Sequence, residues 1–428
     1  MTSWADRLGA GVRAAARTLR RRVGPAAAAM LAAAALLPAL ATATAAVVEP
    51  SATVPAPRVG VLTMQPGEVF FERFGHNAIV VDPADGSEPT SYNFGYFDPG
   101  EPDFLARFVA GTMRYRLVAL PLEVDLAQYR ASGRGVAVQW LDLETAEATA
   151  LAAGLAVNAQ PENAVYDYRY FTDNCSTRVR DALDAALGGL LKRTLTASSQ
   201  GNTHRGEAVR LASPAAWMGT GFHLGLAAKA DRPLSRWDEA FIPMRLADSL
   251  RTVRRADGRP IVASEAELLP HRLAPEPAEM PQLRFEALVV GLASAFALLW
   301  LGARAPRAVA ALAGAFWLFA GLAGVTMLFL WFGSGHDFAW ANENLFLLSP
   351  LALGLLPGAL RAVRGREPGR LFGAVLVLVL VLAAGGSFLK LMPFMKQQNV
   401  EWVMLLLPLH WALARHFRRL AVATSARR

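Results

Sequence analysis

The chemistry of this 428-residue chain centres on one thiol and one imidazole. Cys175 is its only cysteine, so it closes no disulfide within the chain. Such a thiol is either a small buried apolar group or a reactive one. It stands in Tyr168-Arg169-Tyr170-Phe171-Thr172-Asp173-Asn174-Cys175-Ser176-Thr177-Arg178-Val179, where strand-like aromatics give way to Asp-Asn and then to a helix with Val179, Leu183 and Leu187 at apolar spacing. Asp173 or Asn174 caps that helix, and Cys175 falls in its first turn. There the helix dipole and unpaired N–H groups favour a thiolate and can hold an oxyanion. The plain alternative is a small residue packed behind a helix cap.

A thiolate nucleophile works with a base, most often imidazole. His76 follows a glycine and opens an apolar strand in Phe74-Gly75-His76-Asn77-Ala78-Ile79-Val80-Val81. The other histidines suit the role less. His336, His410 and His416 lie in or beside long apolar runs, His204 in a flexible polar loop, His223 in a Gly-rich loop and His271 in the linker. A third group follows from pairing geometry. If the strands flank a hairpin centred on Asp85-Gly86, His76 lies nearly opposite Gly95, and Asn93 falls on the same face one diagonal step away. Asn93 would orient the imidazole, or else serve only the strand edge; a one-residue slip would turn it away. Ser91 and Asp82 are the alternatives.

These residues need a scaffold. Strand patterns fall at Arg58–Met64, Asn77–Val81, Ser91–Phe97, Arg114–Leu120 and Val136–Leu141, and helical ones at Pro102–Ala110, Glu123–Ala131, Thr145–Asn158 and Cys175–Leu191. The polar stretch Thr194–Glu207 reads as a flexible loop, and Arg272–Pro281, with three prolines, as a linker. Apolar runs follow at Phe285–Leu301, Ala308–Phe332, Leu345–Leu360, Leu371–Phe388 and Trp402–Phe417, giving five expected spans. At the other end, Arg13, Arg17 and Arg20 to Arg22 precede an apolar stretch and Ala43-Thr44-Ala45, which suits an export signal or an uncleaved anchor. The expected organisation is a signal or anchor over 1–47, a thiol domain over 48–271, a linker over 272–283, a membrane domain over 284–420 and a tail over 421–428.

Apolar residues make up 54% of the chain and charged ones 18%, with a net charge of +8. The excess is mostly arginine beside the apolar runs, at Arg304 and Arg307, at Arg361–Arg370 and in the tail, while Gly333–Asn344 carries only acidic charge. That alternation orients the thiol domain outside, in the periplasm, and the arginine loops inside. Neither a nucleic-acid module nor a metal-ligand pattern such as HExxH is present, and no cofactor is called for.

Taken together, the Phe74–Asn77 and Asp173–Asp181 segments, Tyr92-Asn93-Phe94-Gly95-Tyr96-Phe97-Asp98, Pro161-Glu162-Asn163, Trp237-Asp238-Glu239-Ala240-Phe241-Ile242-Pro243 and Asn342-Glu343-Asn344-Leu345 resemble the Lnb-type lipoprotein N-acyltransferases. The resemblance covers nearly the whole chain after the signal. It implies an α+β permuted papain-like (NlpC/P60-like) periplasmic domain, with the histidine strand before the cysteine helix, followed by an all-α transmembrane bundle in the bacterial inner membrane. It further implies that Cys175 takes an acyl chain from a phospholipid and passes it to the α-amine of a diacylglyceryl-cysteine lipoprotein. His76 and Asn93 would complete the catalytic set, and Asn174 or Asp173 would shape the helix start. Trp340, His336 and Asn342 in the outer loop are the expected membrane-side substrate contacts. Two other functions fit the same residues: a cysteine hydrolase of membrane lipid or cell-wall peptide, and a non-catalytic module binding lipoproteins or envelope partners.

Overall fold

The computed structural model describes residues 56–425. The expected signal or anchor over 1–47 lies outside the described residues, as do the last three residues of the tail.

The N-terminal half is built on one antiparallel sheet of seven strands: β1 (Arg58–Met64), β2 (His76–Asp82), β3 (Thr90–Tyr96), β4 (Arg114–Pro121), β5 (Val136–Leu141), β6 (Val165–Asp167) and β7 (Val262–Leu269). Their spatial order is β6-β4-β3-β2-β1-β5-β7. Both faces of the central strands are covered, which is why β1 and β2 read as nearly continuous apolar runs. Val59, Val61, Ile79 and Val81 face α3 (Thr145–Asn158) and α4 (Cys175–Ala186), whose Leu151, Leu155, Val179 and Leu183 share their core. Leu62, Met64, Ala78 and Val80 face the other way, toward Leu126 of α2 (Leu122–Ser132). The two-residue period of the strands thus sends His76 to the α2 side and Asn77 to the α4 side.

The hairpin register is the expected one: Ile79 pairs with Tyr92 and Val80 with Ser91. Other elements depart from expectation. β6 and β7 are edge strands without an alternating apolar pattern, so composition hides them. The Cys175 helix is shorter than expected, because Gly188 and Gly189, both at positive φ, break it before α5 (Leu190–Leu195). The expected flexible loop over Thr194–Glu207 is corrected at its end. Thr203 accepts a hydrogen bond from the Gly206 N–H and starts α6 (His204–Ala212). The charges that made α6 look solvated are buried in pairs, Arg205 with Asp231 and Glu207 with Arg210 and Arg245. His223 lies within α7 (Ala216–Gly225), not in a loop. The short α1 (Phe104–Ala110) follows β3, while α8 (Arg236–Glu239) and α9 (Pro243–Leu250) lie between α7 and β7.

The C-terminal half is a helical bundle. Among the described residues, four segments are long and apolar enough to cross a membrane: α10 (Arg284–Arg304), α11 (Pro306–Phe332), Glu343–Val363 and α13 (Arg370–Leu389). The third is helical only in pieces, two 3-10 turns and then α12 (Leu356–Val363), as Pro350 and Pro357 dictate. His410 faces the Leu347 carbonyl at 2.8 Å, so a backbone acceptor left over by the broken helix has a partner. The fifth expected run lies in α14 (Val400–Ser425), a long helix that carries Glu401, Arg415, Arg418 and Arg419 and is less apolar than the other four. It packs along α10, where a Cβ on Gly291 would fall 2.4 Å from the Met404 carbonyl. Only glycine permits that approach.

Candidate active site

The site sits where β2 begins, at the end of the sheet that meets the start of α4. His76 Nε2 lies 3.1 Å from Asn93 Oδ1. The Asn93 Nδ2 donates to Asp125 Oδ2 at 3.0 Å and to Ser91 Oγ at 3.0 Å, and Ser91 Oγ donates to the same Asp125 oxygen at 2.7 Å. A carboxylate accepts only, so it fixes the amide with its oxygen toward the imidazole. His76 Nε2 must then carry the proton, which leaves Nδ1 as the ring nitrogen free for the thiol. Ser91, expected as a substitute for Asn93, instead supports it. Asp82, the other substitute, pairs with Arg58 at 3.5 Å, at the far end of β2.

Cys175 is the first residue of α4 and is buried, at 9% exposure. His76 and the backbone of Asn77 and Ser176 are the groups that act on the thiol. Burial alone pushes the thiol up, but the charge of His76 and the polar groups of His76, Asn77 and Ser176 outweigh it, so the thiol is held below its ordinary value. His76 is raised: burial works against its charge, and the contact with Cys175 overcomes it, with Asp125 helping and Arg134 opposing. Both shifts favour a thiolate–imidazolium pair.

Local sequence explains the placement. Asn174, not Asp173, is the cap: its Oδ1 accepts from the Thr177 N–H at 2.9 Å, and Thr177 Oγ1 accepts from the Asn174 N–H at 2.7 Å. Its Nδ2 donates to the Tyr170 and Phe241 carbonyls, so the Asn174 side chain is occupied in holding the helix start and not in receiving an oxyanion. Asp173 forms an ion pair with Arg178, whose guanidinium lies over the Tyr166 ring. Ser176 Oγ lies 2.8 Å from Asn77 Oδ1 and 2.7 Å from the Ala240 carbonyl, and its single proton serves one of them at a time. That bond ties β2 to α4 beside the thiol.

One group near the thiol is not evident from sequence. Gly95 has φ +96°, in the left-handed region, and a Cβ there would sit 3.5 Å from Cys175 Cβ, 3.8 Å from the Tyr166 hydroxyl and 3.9 Å from the Tyr168 ring. The space left by the missing side chain thus borders the thiol on one side and Tyr166 on the other. The Tyr166 hydroxyl is buried and has no hydrogen-bond partner. Burial, then the Cys175 charge, push this phenol up, so it remains a protonated donor.

Two family descriptions match the chain: the Lnb N-terminal periplasmic domain over residues 51–205 and the Lnb transmembrane domain over residues 284–419. The chain belongs to the Lnb family. No curated protein and no solved structure matches it. Lnb membership makes it a membrane protein with a periplasmic domain, in agreement with the sheet domain and the four apolar helical segments.

In this Lnb chain the site is joined to the membrane half by aromatic rings. Tyr168 contacts Tyr170, and Tyr170 stacks on His336 at 6.1 Å and 18°. His336 Nε2 also faces the Phe108 carbonyl at 2.9 Å, so this residue joins the two halves. Trp340 donates its indole N–H to the Ser334 carbonyl and leaves its ring half exposed. Asn342 is buried and fully engaged: its Nδ2 donates to the carbonyls of Leu224 and Gly225, and its Oδ1 accepts from the Asn344 N–H and Gln397 Nε2. It therefore clamps the outer loop to α7 and has no atom free for a substrate.

Proposed function

We propose that this chain is a lipoprotein-related enzyme of the bacterial inner membrane that moves an acyl chain from a phospholipid, through a thioester on Cys175, to the α-amine of a diacylglyceryl-cysteine lipoprotein. The observation that carries the reading is the convergence of a lone helix-start thiol with an imidazole oriented by Asn93. His76 takes the thiol proton at Nδ1, and the thiolate attacks the donor ester carbonyl. The oxyanion would form over Gly95, within reach of the Tyr166 hydroxyl and the α4 N-terminus. The imidazolium gives its proton to the departing lysophospholipid oxygen. His76 then accepts a proton from the incoming amine, which attacks the thioester and regenerates the thiol. Histidine strand before cysteine helix is the order of a permuted papain-like fold, and we read the sheet domain as one.

Lipid substrates fit the aromatic path from the thiol to His336 and the tether to the membrane. A buried thiol disfavours water as the acceptor, which supports transfer over hydrolysis. A five-span topology, with α14 as the fifth, completes the proposal. The test is mass spectrometry of the lipid chains on a model lipoprotein made in cells with and without the protein. Gain of one N-linked acyl chain is expected, and an unchanged diacyl form would refute the transferase reading.

A further inference from the structure

We propose that α1 and the aromatic cluster beside it form a second membrane contact, with which the periplasmic domain dips into the headgroup region of the leaflet where α11 ends. Leu105 and Val109, four residues apart on one face of α1, are 70% and 45% exposed. Single exposed apolar residues are ordinary, but these belong to a continuous patch. Phe104 stacks on Phe97 at 5.6 Å, Phe97 meets Phe71 at 5.4 Å, and the neighbouring Phe70 stacks on Trp217. Phe71 is 55% exposed and Trp217 70%. The charge of α1 stays off this face, since Arg107 pairs with Glu101 and Asp103.

Position says what covers the patch. The Gly335 N–H donates to the Ala110 carbonyl at 2.7 Å, and His336 bonds the Phe108 carbonyl. The last turn of α1 is therefore hydrogen-bonded to the loop that begins directly after α11, whose final residue, Phe332, is 74% exposed. The exposed Leu105 and Val109 thus belong to an element hydrogen-bonded to the loop after α11 and its exposed Phe332. Lying in the interface plane, α1 would bury only its Leu105–Val109 face, to the roughly 5–10 Å that interfacial helices reach. The start of β3, by contrast, lies about 20 Å along the strand from Tyr96, and the hairpin tip lies beyond it. The occupant is thus the phospholipid interface itself. This inference rests on the membrane placement and not on the thiol chemistry.

The single cysteine makes a clean test possible. In full-length Cys175→Ser protein reconstituted into phosphatidylethanolamine–phosphatidylglycerol vesicles, Leu105→Cys, Val109→Cys, Trp217→Cys, Phe332→Cys and Glu88→Cys are each labelled with bimane. Vesicles carrying nitroxide-labelled phosphatidylcholine should quench the labels at 105 and 109 as strongly as the label at 332, the label at 217 less, and the hairpin label at 88 not at all. Quenching at 105 and 109 no greater than at 88 overturns the proposal. So does protection of both labels from lipid nitroxide and aqueous iodide alike, which would mean that protein covers the face. In the Cys175 protein, Leu105→Glu/Val109→Glu should lower acylation of Cys175 from vesicle phospholipid while leaving its iodoacetamide alkylation unchanged. Equal loss in both assays would mean the substitutions damage the site, and would count against a membrane role for the face.

Discussion

Asn93→Ala isolates the orienting group from the two groups that react. Asn93 Oδ1 is the acceptor for the His76 Nε2 proton at 3.1 Å. Deleting the amide leaves the Ser91–Asp125 bond of 2.7 Å in place, so the domain should stay folded, with about 1–2 kcal/mol lost. The bond to the imidazole is charge-assisted once the imidazolium forms. Such bonds contribute about 1.5–3 kcal/mol, which corresponds to a fall of roughly 10- to 150-fold in kcat/KM. The pH profile should respond on both sides. Cys175 is held low and His76 high in the wild type, so activity should rise as the thiol ionises below its ordinary range and fall as the imidazolium deprotonates above its own. Without Asn93 the imidazolium holds its proton less firmly, and the alkaline limb moves to lower pH. The thiolate loses part of its partner, and the acid limb moves to higher pH. The assay is single-turnover acylation of Cys175 by a water-soluble thioester across pH, beside iodoacetamide alkylation. A loss under about threefold, less than 1 kcal/mol, with both limbs unmoved would refute the orienting role.

Cys175→Ala and Cys175→Ser should each abolish acyl transfer without lowering the melting temperature, and His76→Ala should come close, because nucleophile and base act as one unit. Activity in Cys175→Ala above the empty-membrane background would contradict this. Tyr166→Phe should lower the acylation rate by roughly 10²–10³-fold, as loss of one oxyanion donor does, with little change in KM; a rate within a few-fold of wild type would remove the hydroxyl from the mechanism. Arg205→Leu should lower thermal stability by about 3–5 kcal/mol, since it strands Asp231 in a fully buried pair, whereas Arg58→Leu, in an exposed pair, should cost under about 1 kcal/mol. Equal melting temperatures for the two variants would show that the Arg205 pair does not hold the fold.

The thiol, the imidazole and the amide could be placed from sequence because each sits where a local rule acts. Cys175 follows a capping Asn174, His76 opens an apolar strand, and the Asp85-Gly86 hairpin sets the register that puts Asn93 diagonal to His76. Asp125 and Tyr166 were not legible. Asp125 reaches Asn93 across 32 residues from a helix of mixed composition, and Tyr166 lies in a three-residue edge strand. The start of α6 reads as loop from sequence because its arginines and glutamate are buried by partners distant in sequence, Asp231 and Arg245. The membrane segments were legible by length and apolarity and the break at Pro350 from the proline itself, but the engagement of Asn342 with α7 and of His410 with the Leu347 carbonyl was not. Both depend on which carbonyls the fold leaves unpaired.

The central claim is a thioester on Cys175 that an amine discharges. Wild-type protein in phospholipid vesicles should gain one acyl mass on Cys175, labile to hydroxylamine, and lose it when a diacylated lipopeptide with a free α-amine is added. The acyl chain should reappear as an amide on that lipopeptide, while an N-acetylated lipopeptide, whose nitrogen lone pair is delocalised into the amide, should leave the acyl-enzyme in place. Discharge at equal rates with both lipopeptides, releasing free fatty acid, would make water the acceptor and the protein a lipase. Absence of any acyl mass on Cys175 would contradict the account at its root.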